Sequence, residues 1–170
     1  KEFYRLMAAD GRLDERQRGR ITLADAVEAL LASVQHYREN TRRLYTYNLT
    51  PFAIKHGKRR LDSIKHEEVI SFISAYQGTG YKNRSYGDAS RYLMFRYIKS
   101  LFKWAKETGI LERNQMHGKS CPWKIMARER VMTPEEYRTL MESRASKEFK
   151  EVVEFLWKTG ARPGEIACIQ

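Results

Sequence analysis

Cysteine is nearly absent: Cys121 and Cys168 are the two in 170 residues. Two thiols so far apart build no disulfide framework and suit a reducing compartment. The four histidines, His36, His56, His66 and His117, stand at no ligand spacing, with neither HxxxH nor CxxC, so no metal is expected, and no cofactor is expected either. Four prolines and ten glycines leave few breakers, and no stretch alternates cleanly with period two. No apolar run approaches the roughly 20 residues that cross a bilayer, so no membrane partner is expected. The opening, KEFYRLMAADGRLDERQRGR, is charged and holds no apolar stretch of the signal-peptide kind. It begins at Lys1 rather than Met, which reads as a fragment of a longer protein.

What the chain does hold is positive charge. Lys plus Arg number 32 and Asp plus Glu 21, a net of +11. The excess sits in the middle: residues 21–120 carry 17 basic and 9 acidic side chains, whereas residues 121–170 carry 9 and 8. A polyanion partner follows, with nucleic acid as the leading candidate. On charge alone, a basic protein with solvated faces remains the alternative. Hydrophobic residues make up 42% and aromatics 12%, enough for a real core.

The pattern is helical throughout. Residues 1–20 read as a charged tail or linker. Thr22, with Asp25 three residues on, is a capping-box start, and Leu23, Ala26, Val27, Leu30, Leu31 and Val34 follow at helical spacing. A second helix is expected from Thr41 to about His56, with apolar content from Leu44, Tyr45, Tyr47, Leu49, Phe52 and Ile54, and with Pro51 expected to kink or interrupt it. A third runs from about Lys65 to Tyr76, with Val69, Ile70, Phe72 and Ile73 inward. The longest runs from about Asp88 to Thr108, with Met94, Phe95, Ile98, Leu101, Phe102 and Ala105 on its core face and Arg96, Lys99, Lys103 and Lys106 on another. Residues 116–130 read as a linker closing off a bundle of 21–115. Thr133, Pro134 and Glu136 then make the sharpest helix start in the chain. A further helix is expected over about Lys147 to Lys158, stopped by Gly160, and a last one begins near Pro163. Because that helix is cut at Gln170, the native chain is expected to continue.

The segment TGARPGEIACIQ (159–170) places Arg162 on a turn beside the free N–H groups of a helix start, which suits an anion. Glu165 lies one turn on, where it can hold the guanidinium. Alone, this is also an ordinary Arg–Glu pair. Its setting is more specific. The pattern TG-x-R-x-x-E followed by Ile or Leu resembles the first-arginine box of tyrosine recombinases of the phage-integrase family. It follows RERVMTPEEYRTLM (128–141), which resembles the entry into that family's catalytic domain. Upstream, residues 22–111 resemble its core-binding domain: Thr41 and Tyr45 in a T-x-x-x-Y pattern, the run from Ile64 to Ile73, and SLFKWAKETGIL at 100–111. The chain departs from the family at Arg113-Asn114-Gln115, where Asn-Pro is common, and at Pro51 in the second helix.

The resemblance implies an all-α fragment: a small SAM-like core-binding bundle over 21–115, followed over 131–170 by the first helices of a mixed α/β catalytic domain. It implies double-stranded DNA as partner, self-association on DNA in the full-length protein, and a cytoplasmic, nucleoid-associated location. In such enzymes a tyrosine attacks the scissile phosphate and arginines stabilise the developing charge. By that likeness Arg162 contacts the scissile phosphate and Glu165 supports it. None of the ten tyrosines here stands in the nucleophile's place. DNA-contact candidates are Arg42 and Arg43 at the second helix, the basic run Lys58, Arg59 and Arg60, the approach to the long helix with Lys82, Arg84, Ser85, Tyr86 and Arg91, and the stripe Arg96, Lys99 and Lys103. That stripe reads equally as a solvated outer face. A non-catalytic helical DNA-binding protein, such as a transcriptional regulator, explains the charge as well but not the order of the boxes. A helical protein-interaction module is disfavoured by the charge.

Overall fold

The computed structural model describes residues 21–77, 86–125 and 130–166. The expected tail over 1–20 lies outside the described residues. Among those described, the chain forms seven α-helices and no strand: α1 (Leu23–Ser33), α2 (Glu39–His56), α3 (His66–Ala75), α4 (Asp88–Glu107), α5 (Pro134–Glu142), α6 (Lys147–Thr159) and the short α7 (Pro163–Ile166). The contacts divide it into two compact units, Lys1–Met126 and Ala127–Gln170.

The first unit is built on α4, which packs against α1, α2 and α3. All six residues expected on its core face are buried, because their 3- and 4-residue spacing makes one stripe along the helix. Leu23, Ala26, Val27 and Leu30 of α1, Leu49 and Phe52 of α2, and Val69, Phe72 and Ile73 of α3 close over that stripe. Each large side chain so buried contributes roughly 1.5–3 kcal/mol. The Phe52 and Phe72 rings meet at 5.1 Å between α2 and α3.

The start of α1 follows the expected chemistry. Asp25 N–H donates to Thr22 Oγ1 at 3.2 Å, and Thr22 N–H to Asp25 Oδ2 at 3.3 Å. Leu23 and Ala24, whose N–H groups have no partner inside the helix, donate to Arg59 O at 2.8 Å and Gly57 O at 3.1 Å. Those two bonds fasten the loop after α2 onto α1. Gly57 permits the approach: a Cβ there would stand 2.3 Å from Ala53 O and 3.1 Å from Ala24 Cβ.

Three expectations change. Helix α2 passes through Pro51 without a break. Leu49 and Phe52, both fully buried, anchor it on either side, and the carbonyl that Pro51 leaves unbonded belongs to Tyr47, which is exposed to water. The apolar content of α2 also splits, since Leu44, Tyr47 and Ile54 are exposed. The stretch 116–125, read as linker, lies on the bundle. Met116 is fully buried in its core, and Cys121 and Trp123 pack against it.

The second unit is different in kind. Thr133 caps α5 with a complete capping box, and Pro134 takes the first helical position. Ser146 caps α6, and Gly160 ends it at φ 66°, the left-handed conformation that a C-terminal glycine adopts most easily. The rings of Tyr137 and Trp157 stack at 4.7 Å. Neither α5 nor α6 buries a residue, and Phe149, Val152, Phe155 and Trp157 are exposed.

Candidate nucleic-acid interface

The outward face of α4 carries Arg96, Lys99, Lys103 and Lys106 at spacings of 3, 4 and 3, away from its buried stripe. The chain after α4 turns back beside this face. Leu111 N–H donates to Ala105 O at 2.9 Å, and burial of Ile110, Leu111 and Met116 fixes the return. Four polar contacts hold it further. Lys99 Nζ donates to Lys119 O at 2.8 Å, Gln115 Nε2 to Asp62 O at 3.0 Å, and His66 Nε2 to Ser120 O at 3.3 Å. Lys106 Nζ donates to Glu112 O.

The result is an open groove of about 990 Å³ between α4, the returning segment and the start of α3. Seven cations line it: the four of α4 with Lys65, Arg113 and Lys119. Three carboxylates, Glu67, Glu107 and Glu112, oppose them. Lys103 Nζ stands 3.6 Å from Glu107 Oε1, but both side chains are largely exposed, and a pair of that kind holds little energy. A phosphate can therefore take the lysine at small cost. Arg96 also lies 5.9 Å from the Tyr92 ring.

The other expected contact residues fare differently. In the run after α2, Lys58 is exposed, but Arg59 Nη1 binds Glu68 Oε1 at 2.5 Å and Arg60 Nη2 binds Asp62 Oδ2 at 2.5 Å. The Arg59 hydrogen bond, with a second from the Lys65 backbone, pulls the Glu68 carboxyl down to about 2. Those two arginines thus already face a carboxylate each, and that of Arg59 lies nine positions on, beyond the reach of local spacing. Tyr86 is corrected outright. It is a core residue, 8% exposed, and burial pushes its phenol up to about 12, so it presents no surface to DNA. Arg91 is half-buried, with Nη1 3.3 Å from Asp88 Oδ1. Arg42 and Arg43 line a separate shallow depression on α2, and Arg42 donates to Gln35 Oε1 at 3.0 Å. Lys82, Arg84 and Ser85 lie outside the described residues.

In the second unit, Arg162 is 88% exposed, with Nη1 3.6 Å from Glu165 Oε1. Glu165 also accepts the Arg162 backbone N–H at 2.8 Å, so one carboxylate caps the helix start and faces the guanidinium. No group of three or more His, Cys, Asp or Glu that could hold a metal occurs among the described residues, and no described helix is long and apolar enough to cross a membrane.

Sequence reasoning found the α4 stripe but missed Lys65, Arg113 and Lys119. They lie outside the helical pattern and reach the groove only because residues 112–125 fold back. Met116, an apolar residue in a polar stretch, with Trp123 after it, was the signal of that return. Comparison of the chain with protein-family models, curated proteins and solved structures finds no match.

Proposed function

We propose that this chain is a DNA-binding piece of a site-specific recombinase of the tyrosine type, holding duplex DNA through its first unit. The observation that carries DNA binding is the groove on α4, where seven cations meet three carboxylates along one side of the bundle. A groove of that charge neutralises phosphates without regard to sequence. A helix-lined bundle with an extended cationic side fits a polyanion of repeating charge better than a small acidic ligand.

The finer identity rests on the order of the boxes in the sequence, from the bundle through Thr133 to Arg162 and Glu165. Two features support it. The Glu165 carboxylate caps the helix start and lies 3.6 Å from the Arg162 guanidinium, where it can help hold that arginine toward a phosphate. The second unit has apolar residues on α6 but buries none in α5 or α6, as the first helices of a larger catalytic domain would. In this reading the α/β remainder supplies the tyrosine nucleophile, and copies of the full-length protein associate on DNA in the cytoplasm, at the nucleoid. A non-catalytic DNA-binding regulator is the second reading. It is favoured by the fact that the groove needs no chemistry to explain it.

Binding of the chain to short duplex DNA, followed by fluorescence anisotropy, tests the first claim. Affinity is expected at low salt and falls steeply as salt rises; absence of binding at low salt refutes it. A longer chain that carries the nucleophile tests the second. Arg162→Ala there abolishes strand cleavage while leaving site binding largely intact. An active R162A enzyme refutes the recombinase role for this arginine.

A further inference from the structure

Next to the groove, a smaller cleft of about 360 Å³ opens between α2 and α4. Three tyrosines furnish it. Tyr37 and Tyr45 are stacked with centroids 6.2 Å apart and planes 27° apart, and Tyr45 meets Tyr97 edge-on at 4.8 Å. Tyr37 is 43% exposed, unlike the ring of Phe102, which is fully buried in the core a turn or two further along α4. Leu93, also exposed, adds an apolar side. The polar equipment is the guanidinium of Arg96 and the hydroxyl of Ser100, which shares a 3.4 Å hydrogen bond with the Tyr45 hydroxyl. Arg96 and Ser100 line both the cleft and the groove, so the two are continuous.

We propose that this cleft receives a single unstacked nucleobase from a nucleic acid whose phosphates lie on the groove, an inference that rests on the DNA-binding reading above. Its chemistry is that of a base platform. Aromatic faces stack on any base, an arginine plane adds a cationic face, and hydroxyls at the edge meet the donors and acceptors of the base rim. The cleft takes a planar heterocycle but not a double helix. An intact duplex offers no such base without first breaking a stack, whereas a bulge, gap or single strand offers one freely. The first unit therefore prefers DNA carrying an unpaired nucleotide over a perfect duplex. Specificity for a particular base is not expected, since every base has a π-face.

The test uses two short DNAs, identical except that a 2-aminopurine is paired in one and forms a one-nucleotide bulge in the other. The bulged DNA is expected to bind about tenfold tighter, the scale of one stacked base, and its emission is quenched on binding. Tyr37→Ala removes both the preference and the quenching while leaving salt-dependent duplex binding in place; Tyr37→Phe, which keeps the ring, retains both. Leu93→Trp, which fills the cleft from its other side, gives the same loss as Tyr37→Ala without removing a tyrosine. Equal affinity for the two DNAs overturns the cleft while leaving the groove standing. So does a preference that survives both Tyr37→Ala and Leu93→Trp. Failure to bind either DNA at low salt overturns the DNA-binding reading and this inference with it.

Discussion

Replacing Arg96 and Lys103 by alanine together removes two cations from the groove without disturbing the bundle beneath it. Both side chains are exposed on α4, and alanine is the strongest helix former, so the helix itself does not suffer. The exposed pair between Lys103 and Glu107 contributes little to stability. The effect on binding follows from charge. Seven cations against three carboxylates leave four net positive charges along the groove. With one phosphate neutralised per net charge, log affinity against log salt has a slope of about −3.6, and binding weakens on the order of a hundredfold between about 50 and 200 mM salt. The double variant halves the net charge, so its slope shrinks to about −1.8. The gap between the two proteins is widest at low salt and closes as salt rises.

Arg60→Ala is the control. It removes one positive charge from the same unit, half of what the double variant removes, but Arg60 is already held by Asp62 at 2.5 Å and lies outside the groove. Its slope is expected to match the parent's. The assay is fluorescence anisotropy on one duplex at a series of salt concentrations for all three proteins. Equal loss per charge removed in R60A and in the groove variant would mean that net charge rather than the groove binds DNA. A salt slope that R96A/K103A does not change would refute the placement of the interface on α4.

Other outcomes are as specific. Met116→Ala is expected to destabilise the first unit by about 2–4 kcal/mol in urea unfolding, because its side chain is fully buried in the core; unfolding unchanged from the parent would return residues 116–125 to the status of linker. Glu68 has its carboxyl held at about 2, against an ordinary 4.5, chiefly by the hydrogen bond from Arg59. A depressed carboxylate contributes stability above its unfolded value and loses it as pH falls through the folded one. The stability advantage of the parent over Glu68→Gln is therefore full near pH 6 and disappears as pH falls from about 4.5 to about 2, followed by thermal melting across that range. A gap that is constant with pH would mean that Arg59 and Glu68 are not paired in solution.

The legible parts of this protein were those written in local spacing. The stripe from Met94 to Ala105 and the caps at Thr22 and Thr133 depend on residues three and four apart, and each forms as read. What escaped was set by partners distant in sequence. Leu44, Tyr47 and Ile54 look as apolar as Leu49 and Phe52, but only the latter two face α4 and its neighbours. Arg59 looked like a free cation until the fold brought Glu68 to it. Tyr86 stood beside charged residues and read as a contact, yet its ring meets Tyr76 at 5.1 Å inside the bundle. The same limit applied to the candidate site. Four of its cations were legible as a helix face, and the other three came from turns and from a return of the chain that Met116 and Trp123 alone hinted at.

The two units differ in a way that bears on where binding and chemistry would reside. The first has a closed core beneath its cationic groove, so the backbone positions that carry its positive charges are fixed by burial elsewhere. On the DNA-binding reading, such an array needs no further assembly to meet phosphates. Arg162 has no such support: its side chain is 88% exposed, and its ion pair with Glu165 spans 3.6 Å in water. A guanidinium in high dielectric stabilises a developing phosphoryl charge weakly, because water already screens both. Strong stabilisation requires that the arginine be fixed and the surrounding water displaced before charge develops. The exposed apolar residues of α6, Phe149, Val152 and Phe155, are what a covering domain would use to bring that about. On the recombinase reading, DNA binding is therefore a property of the bundle alone, while the Arg162 site becomes catalytic only when that α6 face is covered and the DNA is in place.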